Sequence, residues 1–540
     1  MKNEDANMNT ISEQKTQQEK ASRKRENGVL SVWLLVVLFL FFSVYLAGCG
    51  KRIPTNASLA ETTPTIKPDY GNLVIPPNIA PLNFEIIAEG QAFRTLIRSE
   101  SDTTGKSGLV VEGKTVKIPI KFWKSLLKAN QGKKICFDIF VKTGKEWRRY
   151  PSIVNTVSTD PIDPYVAYRL IPPGQYFGEL TLNQRHLESF TERPFFDNNA
   201  TFNDQPTQNG TCANCHCFRN GKADQFFFHV RYVHGGTILY RNGKLDKIDT
   251  MFGDTGNSAT YPAWHPTLPI IVFSANETLQ LIHSRSIKKN ETFDSYSDLL
   301  LYDIEKNAFS HIFRTPDIFE TFPCWVPEGD CLYFCSCGPL APEKLIMFNK
   351  LQTLAPFSPK DFESFKYNLL KMSFDQTSGQ FGKPEVVIDA VKDGKSVAFP
   401  RVSPQGRFLI YTLADFGTFP IMHRESDLWL YDMQTKENRC MTEINSDMPE
   451  TYHSWDSSGR WLVFSSRRGD GSYTRLYFAH IDENGRGSKP FMLPQYDPAD
   501  NLRRMKSYNI PEMVSEPIPV SIGKTMRLIQ SPKITPSHYD

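Results

Sequence analysis

The sharpest change of polarity along the chain falls at residue 29. The first 28 residues are polar and close on the basic cluster Lys20, Arg23, Lys24 and Arg25, whereas the twenty residues from Val29 to Gly48 carry no charge. A run of that length can cross a bilayer as a helix or form the apolar part of an export signal. Residues 49–78 are rich in Thr, Pro and Asn, too polar to bury a core, and read as a tether. From 79 to 160 the period becomes two. Phe84-Glu85-Ile86-Ile87, Thr115 to Ile120 and Ile135 to Val141 alternate, or nearly so, between Gly and Lys turns, which predicts a small β-sandwich. Residues 161–221 lack such a pattern and read as a linker, with a short helix expected around Leu182 to Phe190.

From 222 to 495 one unit recurs. Tyr261-Pro262-Ala263-Trp264-His265-Pro266 precedes the apolar run Ile270 to Ser274, and Phe322-Pro323-Cys324-Trp325-Val326-Pro327 precedes Cys331 to Cys335. Phe399-Pro400-Arg401-Val402-Ser403-Pro404 leads into Phe408 to Tyr411, and Tyr452-His453-Ser454-Trp455 leads into Trp461 to Ser465. Each is an aromatic strand, a tight turn and a second strand, and a repeat at this period predicts a propeller. The units resemble TolB-type propeller repeats of bacterial envelope proteins. The resemblance implies a mainly β fold in which the sandwich is followed by a TolB-like β-propeller. Because a ring must close to remove its edges, six blades are expected, the last completed by strands from both ends of the domain. Residues 496–540 are left as a C-terminal extension.

The end of the first apolar run changes its meaning. Leu46-Ala47-Gly48-Cys49 resembles a bacterial lipobox, which implies that residues 1–48 are a cleaved signal peptide and that Cys49 is acylated and holds the protein to a membrane. An uncleaved anchor is the alternative reading. Gly50-Lys51-Arg52 lacks the Asp that retains some lipoproteins at the inner membrane, so the expected place is the outer membrane, facing the periplasm. A net charge of +3 over 540 residues, with no basic stripe, gives no footprint for nucleic acid. The expected partners are the membrane and other envelope proteins on a propeller face.

The candidate chemistry lies in Cys212-Ala213-Asn214-Cys215-His216, the C-x-x-C-H pattern of c-type haem attachment. Two thiols at that spacing add across the haem vinyl groups, and the histidine after the second reaches the iron. Cys212 and Cys215 are thus candidate attachment points, His216 the candidate metal ligand, and His229, thirteen residues on, a candidate for the sixth position. For His229 a packed imidazole within a blade is the competing reading. Cys217 extends the segment to three thiols and an imidazole, so zinc is an alternative to haem c, and a disulfide pair is another. An exported chain is where haem attachment of this kind takes place. Cys331, Cys335 and Cys337 share one face of a predicted strand and read as core, with a bridge from Cys324 open. No G-x-S-x-G or H-E-x-x-H motif is present, and the residues after the last repeat are too few for a hydrolase domain, so no hydrolase activity is expected. Two functions follow. One is a tethered haem protein with a docking propeller, for electron transfer or redox sensing; the other is a non-catalytic TolB-like envelope scaffold with a structural cysteine cluster.

Overall fold

The computed structural model describes residues 53–172, 179–198, 212–231, 234–252, 257–282, 290–313, 315–340 and 363–539. The apolar run Val29 to Gly48 and the acylation candidate Cys49 lie outside the described residues. The account below concerns residues from Ala57 onward.

The N-terminal part stacks a seven-stranded sheet on a three-stranded one (Ile66–Lys67, Phe84–Ile86, Thr115–Val116). The large sheet is built around the long strand Lys134–Thr143, whose interior residues are buried almost without a break. The alternation expected from Thr115 to Ile120 ends early. Its strand stops at Val116, and a helix, Ile120–Ala129, follows Pro119. Proline has no N–H to give a ladder but starts a helix well, and Trp123 and Leu127, four apart, bury the inner face. The Trp123 indole donates to the Ile79 carbonyl at 3.0 Å.

Six blades, sheets of four to six strands, form the remainder. The innermost strands are Ser507–Val514, Cys212–Phe218, Asn257–Trp264, Phe319–Trp325, Ser396–Val402 and Glu450–Trp455, for blades 1 to 6 in ring order. Each packs on the next, and blade 6 packs back on blade 1. Blade 1 is assembled from both ends of the propeller. Its outer strands, Tyr165–Ile171, Thr181–His186 and Glu192–Asp197, come before every other blade, while its inner strand comes after them.

The segment read as a linker, 161–221, therefore holds three strands of blade 1 and the inner strand of blade 2. The helix expected around Leu182 is a strand, because Thr181–His186 is buried on both faces between its neighbours rather than along one stripe. Its polar side chains are satisfied from the C-terminal segment: Gln184 donates to Glu516 O at 3.1 Å and Arg185 to Pro494 O at 2.9 Å. The C-terminal extension likewise belongs to the ring. Beyond the closing strand, the helix Ile522–Gln530 lies on the outer strands of blades 1 and 2, and His538–Tyr539 adds a parallel strand to the edge of blade 3. Both cover edges that would otherwise expose unpaired backbone. The sandwich core continues into blade 6 through Trp461, Phe478 and Phe491, and Asp163 accepts from Ser457 N at 2.8 Å and Ser457 Oγ at 2.6 Å.

Candidate functional site at the propeller axis

All six inner strands carry the same irregularity. In blade 3 the pairing register shifts between Thr260 and Ala263, so that Tyr261 and Pro262 oppose one residue of the second strand. The same two-against-one bulge recurs at Phe322-Pro323, Phe399-Pro400, Tyr452-His453, Ile510-Pro511 and Cys215-His216. Its first residue is left-handed every time: φ is 55° at Cys215, 40° at Tyr261, 54° at Phe322 and at Phe399, 50° at Tyr452 and 46° at Ile510. For side chains other than glycine this costs on the order of 1 kcal/mol each.

What offsets the strain is the packing it allows. The bulge turns these six side chains toward the axis, where Tyr261 lies 4.5 Å from Phe322 and 5.9 Å from Phe399 between ring centroids. Phe322 and Phe399 are 4.1 Å apart, and Phe399 and Tyr452 4.9 Å. Tyr261 and Phe399 belong to non-adjacent blades, so their contact spans the centre. Cys215 is 4% exposed and stands within electrostatic range of Tyr261 and Tyr452. Together these residues plug the channel.

Between the plug and the turns that join the first and second strands lies a cavity of about 600 Å³, lined from every blade of the ring. Position by position, its walls follow the repeat. The residue after each left-handed one is Pro262, Pro323, Pro400 or Pro511 in four blades and His216 or His453 in the other two. The next is Cys217, Ala263, Cys324, Arg401, Ser454 or Glu512. Arg401 and Glu512 are the charged members of that layer, supplied by blades 5 and 1.

Among the described residues no carboxylate comes within ion-pair distance of Arg401, whose Nη1 donates to the neighbouring Pro400 carbonyl at 2.9 Å. Glu512 Oε1 accepts from Phe218 N at 2.8 Å. Removal from bulk water pushes its carboxyl pKa up to about 8, against a smaller opposing pull from Arg401. Burial depresses His216 to about 4 and His453 to about 3, which leaves both imidazoles neutral at neutral pH. His453 Nε2 bonds to Ile410 O at 2.9 Å, while its Nδ1 has no hydrogen-bond partner. The His216 ring stands against the backbone of Ala167 and Ile510, which oppose part of the depression that burial causes. The three tryptophans of the lining differ in their partners. The indole N–H of Trp264 reaches Cys217 O at 3.2 Å and that of Trp455 reaches Arg401 O at 3.1 Å, each tying one blade to the blade before it, but the Trp325 N–H is buried and unpartnered.

The C-x-x-C-H segment is thus the inner strand of blade 2, with Cys215-His216 in the slot that blades 3, 4 and 5 fill with an aromatic residue and proline. Haem c would need both sulfurs on one porphyrin edge and His216 on the iron. Cys215 and His216 line the cavity; Cys212 does not. Cys212 sits at the start of the strand, 5% exposed, in the apolar core between blades 1 and 2 with Ala167 and Leu182. The three residues do not fit a covalent haem in the cavity. His229 stands apart as well, on the second strand of blade 2, where its Nδ1 meets Thr237 Oγ1 at 3.0 Å, and it does not line the cavity. Nor do the thiols converge for zinc. Cys212 faces blade 1 and Cys217 packs toward blade 3, and among the described residues no group of three or more His, Cys, Asp or Glu side chains is placed to hold a metal ion.

Among the described residues, none of the nine cysteines forms a disulfide. Cys324, weighed above for a bridge, accepts from Val402 N at 3.4 Å. Sequence reasoning missed Arg401, Glu512, His453 and Trp325 as site residues. Arg401 and Glu512 follow directly on Phe399-Pro400 and Ile510-Pro511, and that shared position was the signal available for them.

No protein-family model matches the chain, and no curated protein does. Solved structures resemble it distantly. A prolyl endopeptidase is 13% identical with a TM-score of 0.32, over 53% of this chain and 36% of that one. An oligogalacturonate lyase in complex with manganese is 10% identical with a TM-score of 0.32, over 61% and 74%. A DUF4784 family protein from Bacteroides caccae is 9% identical with a TM-score of 0.28, over 71% and 97%. The chain spans about a third of the endopeptidase, and at these values nothing about activity carries over.

Proposed function

We propose that this protein is an envelope lipoprotein, tethered through Cys49 to the outer membrane and facing the periplasm. Its TolB-like propeller is a non-catalytic platform that binds a ligand or partner at its axis. The blind funnel carries this reading. A cavity of about 600 Å³ that ends on a plug of six converging side chains is suited to hold something rather than to pass it through, and its size is that of ordinary ligand sites. The Cys-x-x-Cys-His spelling is then a variant of the repeat.

The second reading, a haem c protein for electron transfer or redox sensing, rests on His216 standing beside Cys215 in the lining of the same funnel, and the place of Cys212 outside that lining counts against it. The two readings part on one gel. The full chain is expressed in a host competent for lipidation and haem c maturation, fed an alkyne fatty acid, denatured and separated. A band that carries the fatty acid, loses it in Cys49→Ala and shows no haem peroxidase activity is the expected result. Haem staining that follows the band overturns the scaffold reading, and absence of acyl label overturns the tether.

A further inference from the structure

The funnel's lining is one-sided in its chemistry. Arg401 contributes a guanidinium with no carboxylate at ion-pair distance among the described residues. Lys222 stands at the rim. Of the two acids in the lining, Asp456 is engaged in its own turn, accepting from Arg460 N at 3.0 Å, Trp461 N at 2.9 Å and Ser458 Oγ at 2.6 Å. Glu512 is held mostly protonated at neutral pH, so it leaves Arg401 uncompensated and itself offers an O–H. Two further buried polar atoms on lining residues have no partner, Nδ1 of His453 and the indole N–H of Trp325. His453 and Trp325 are 3% and 7% exposed. An unmet buried donor such as the Trp325 N–H costs about 1–3 kcal/mol, whereas the neutral His453 ring gives its proton from Nε2 to Ile410 O and keeps Nδ1 as an acceptor. The rest of the wall is proline and tryptophan.

We propose that the funnel binds a small organic carboxylate, its acid group paired with Arg401 and its apolar body against the Trp264, Trp325 and proline wall. A cationic occupant would leave the guanidinium unpaired. A neutral apolar one would leave the donors unmet. This deepens the platform reading above and rests on it.

The test uses the full chain carrying Cys49→Ala, with thermal unfolding followed as ligand is added. The probes are benzoate, phenylacetate and indole-3-acetate, each beside its primary amide. The acids raise the melting temperature and the amides do not. Arg401→Gln weakens the acids by about tenfold or more, the scale of a charge-assisted pair, while Arg401→Lys keeps the preference for acid over amide and Lys392→Gln, exposed and outside the lining, leaves it unchanged. Arg401→Lys covers the case in which Arg401→Gln does not fold. Equal shifts from acids and amides, or acid binding that survives Arg401→Gln, overturns the carboxylate assignment but leaves a ligand-binding funnel standing. No shift from any probe up to millimolar concentration overturns the assignment as well, and haem staining in the earlier experiment would reject the underlying platform separately.

Discussion

Glu512→Gln isolates the electrostatics of the funnel. An acid whose pKa is raised on folding is neutral in the folded chain while it is ionised in the unfolded one, so it removes stability as pH rises through the interval between the two values. For Glu512 that interval runs from about 4.5 to about 8. At about 1.4 kcal/mol per unit, the ceiling on the loss is about 5 kcal/mol. Glu512 is only half-buried and faces the funnel, where water screens it, so the measured figure falls below that ceiling.

The glutamine side chain keeps an oxygen for Phe218 N and cannot ionise. Wild type and variant should therefore be close in stability at pH 4.5. The variant should gain steadily from there to pH 8 and hold a constant lead of a few kcal/mol above it. Of the other groups near this carboxyl, burial holds the Cys217 and Cys324 thiols above their usual range, and His216 and His453 are already neutral. Urea unfolding followed by tryptophan fluorescence, at half-unit steps from pH 4.5 to 9, reads the difference directly. A difference that does not change with pH would refute the reasoning, and so would a wild type that gains on the variant toward pH 8.

Three other expectations can be checked by the same unfolding assay. Trp264→Phe and Trp455→Phe each lose an indole bond to the neighbouring blade and should cost about 1 kcal/mol more than Trp325→Phe, whose N–H has nothing to lose; equal costs would count against those ties. Gly329 has φ +77°, and a methyl group there would lie 2.5 Å from the His265 ring, so Gly329→Ala should cost about 2–4 kcal/mol. Gly379→Ala, at φ +70° in open space, should cost only about 1 kcal/mol. Asp163→Ala, which breaks both bonds from the sandwich to Ser457, should cost about 1–3 kcal/mol; a neutral result would show that this contact holds nothing together.

The mainly β class and the propeller were legible because an aromatic residue recurs at the same place in four inner strands, followed by proline in three of them and by His453 in the fourth. The other two were hidden for different reasons. In blade 1 the strand bearing Ile510-Pro511 is followed by no second strand of its own, so the repeat is cut at its turn. In blade 2 the slot is filled by Cys215-His216, and a stronger pattern, C-x-x-C-H, drew the reading toward cofactor chemistry. That spacing describes separation along the chain. It says nothing of the bulge, which sends Cys215 to the axis while Cys212 remains between blades. Arg401 and Glu512 could not be paired from sequence at all, since they come from different repeats and meet only when the ring is closed.

Blade 1 places a constraint on when the molecule can become itself. Ile171 pairs with Ser507, and Tyr165 with Val514, so the earliest blade to be synthesised waits for the last one's successor before its inner edge is filled. A chain that crosses a membrane N-terminus first would keep that edge open through most of its passage, a threadable ribbon and not a locked ring. The closing strand, Ser507–Val514, then acts as a latch: the cavity at the axis is complete only after nearly the whole polypeptide has been made.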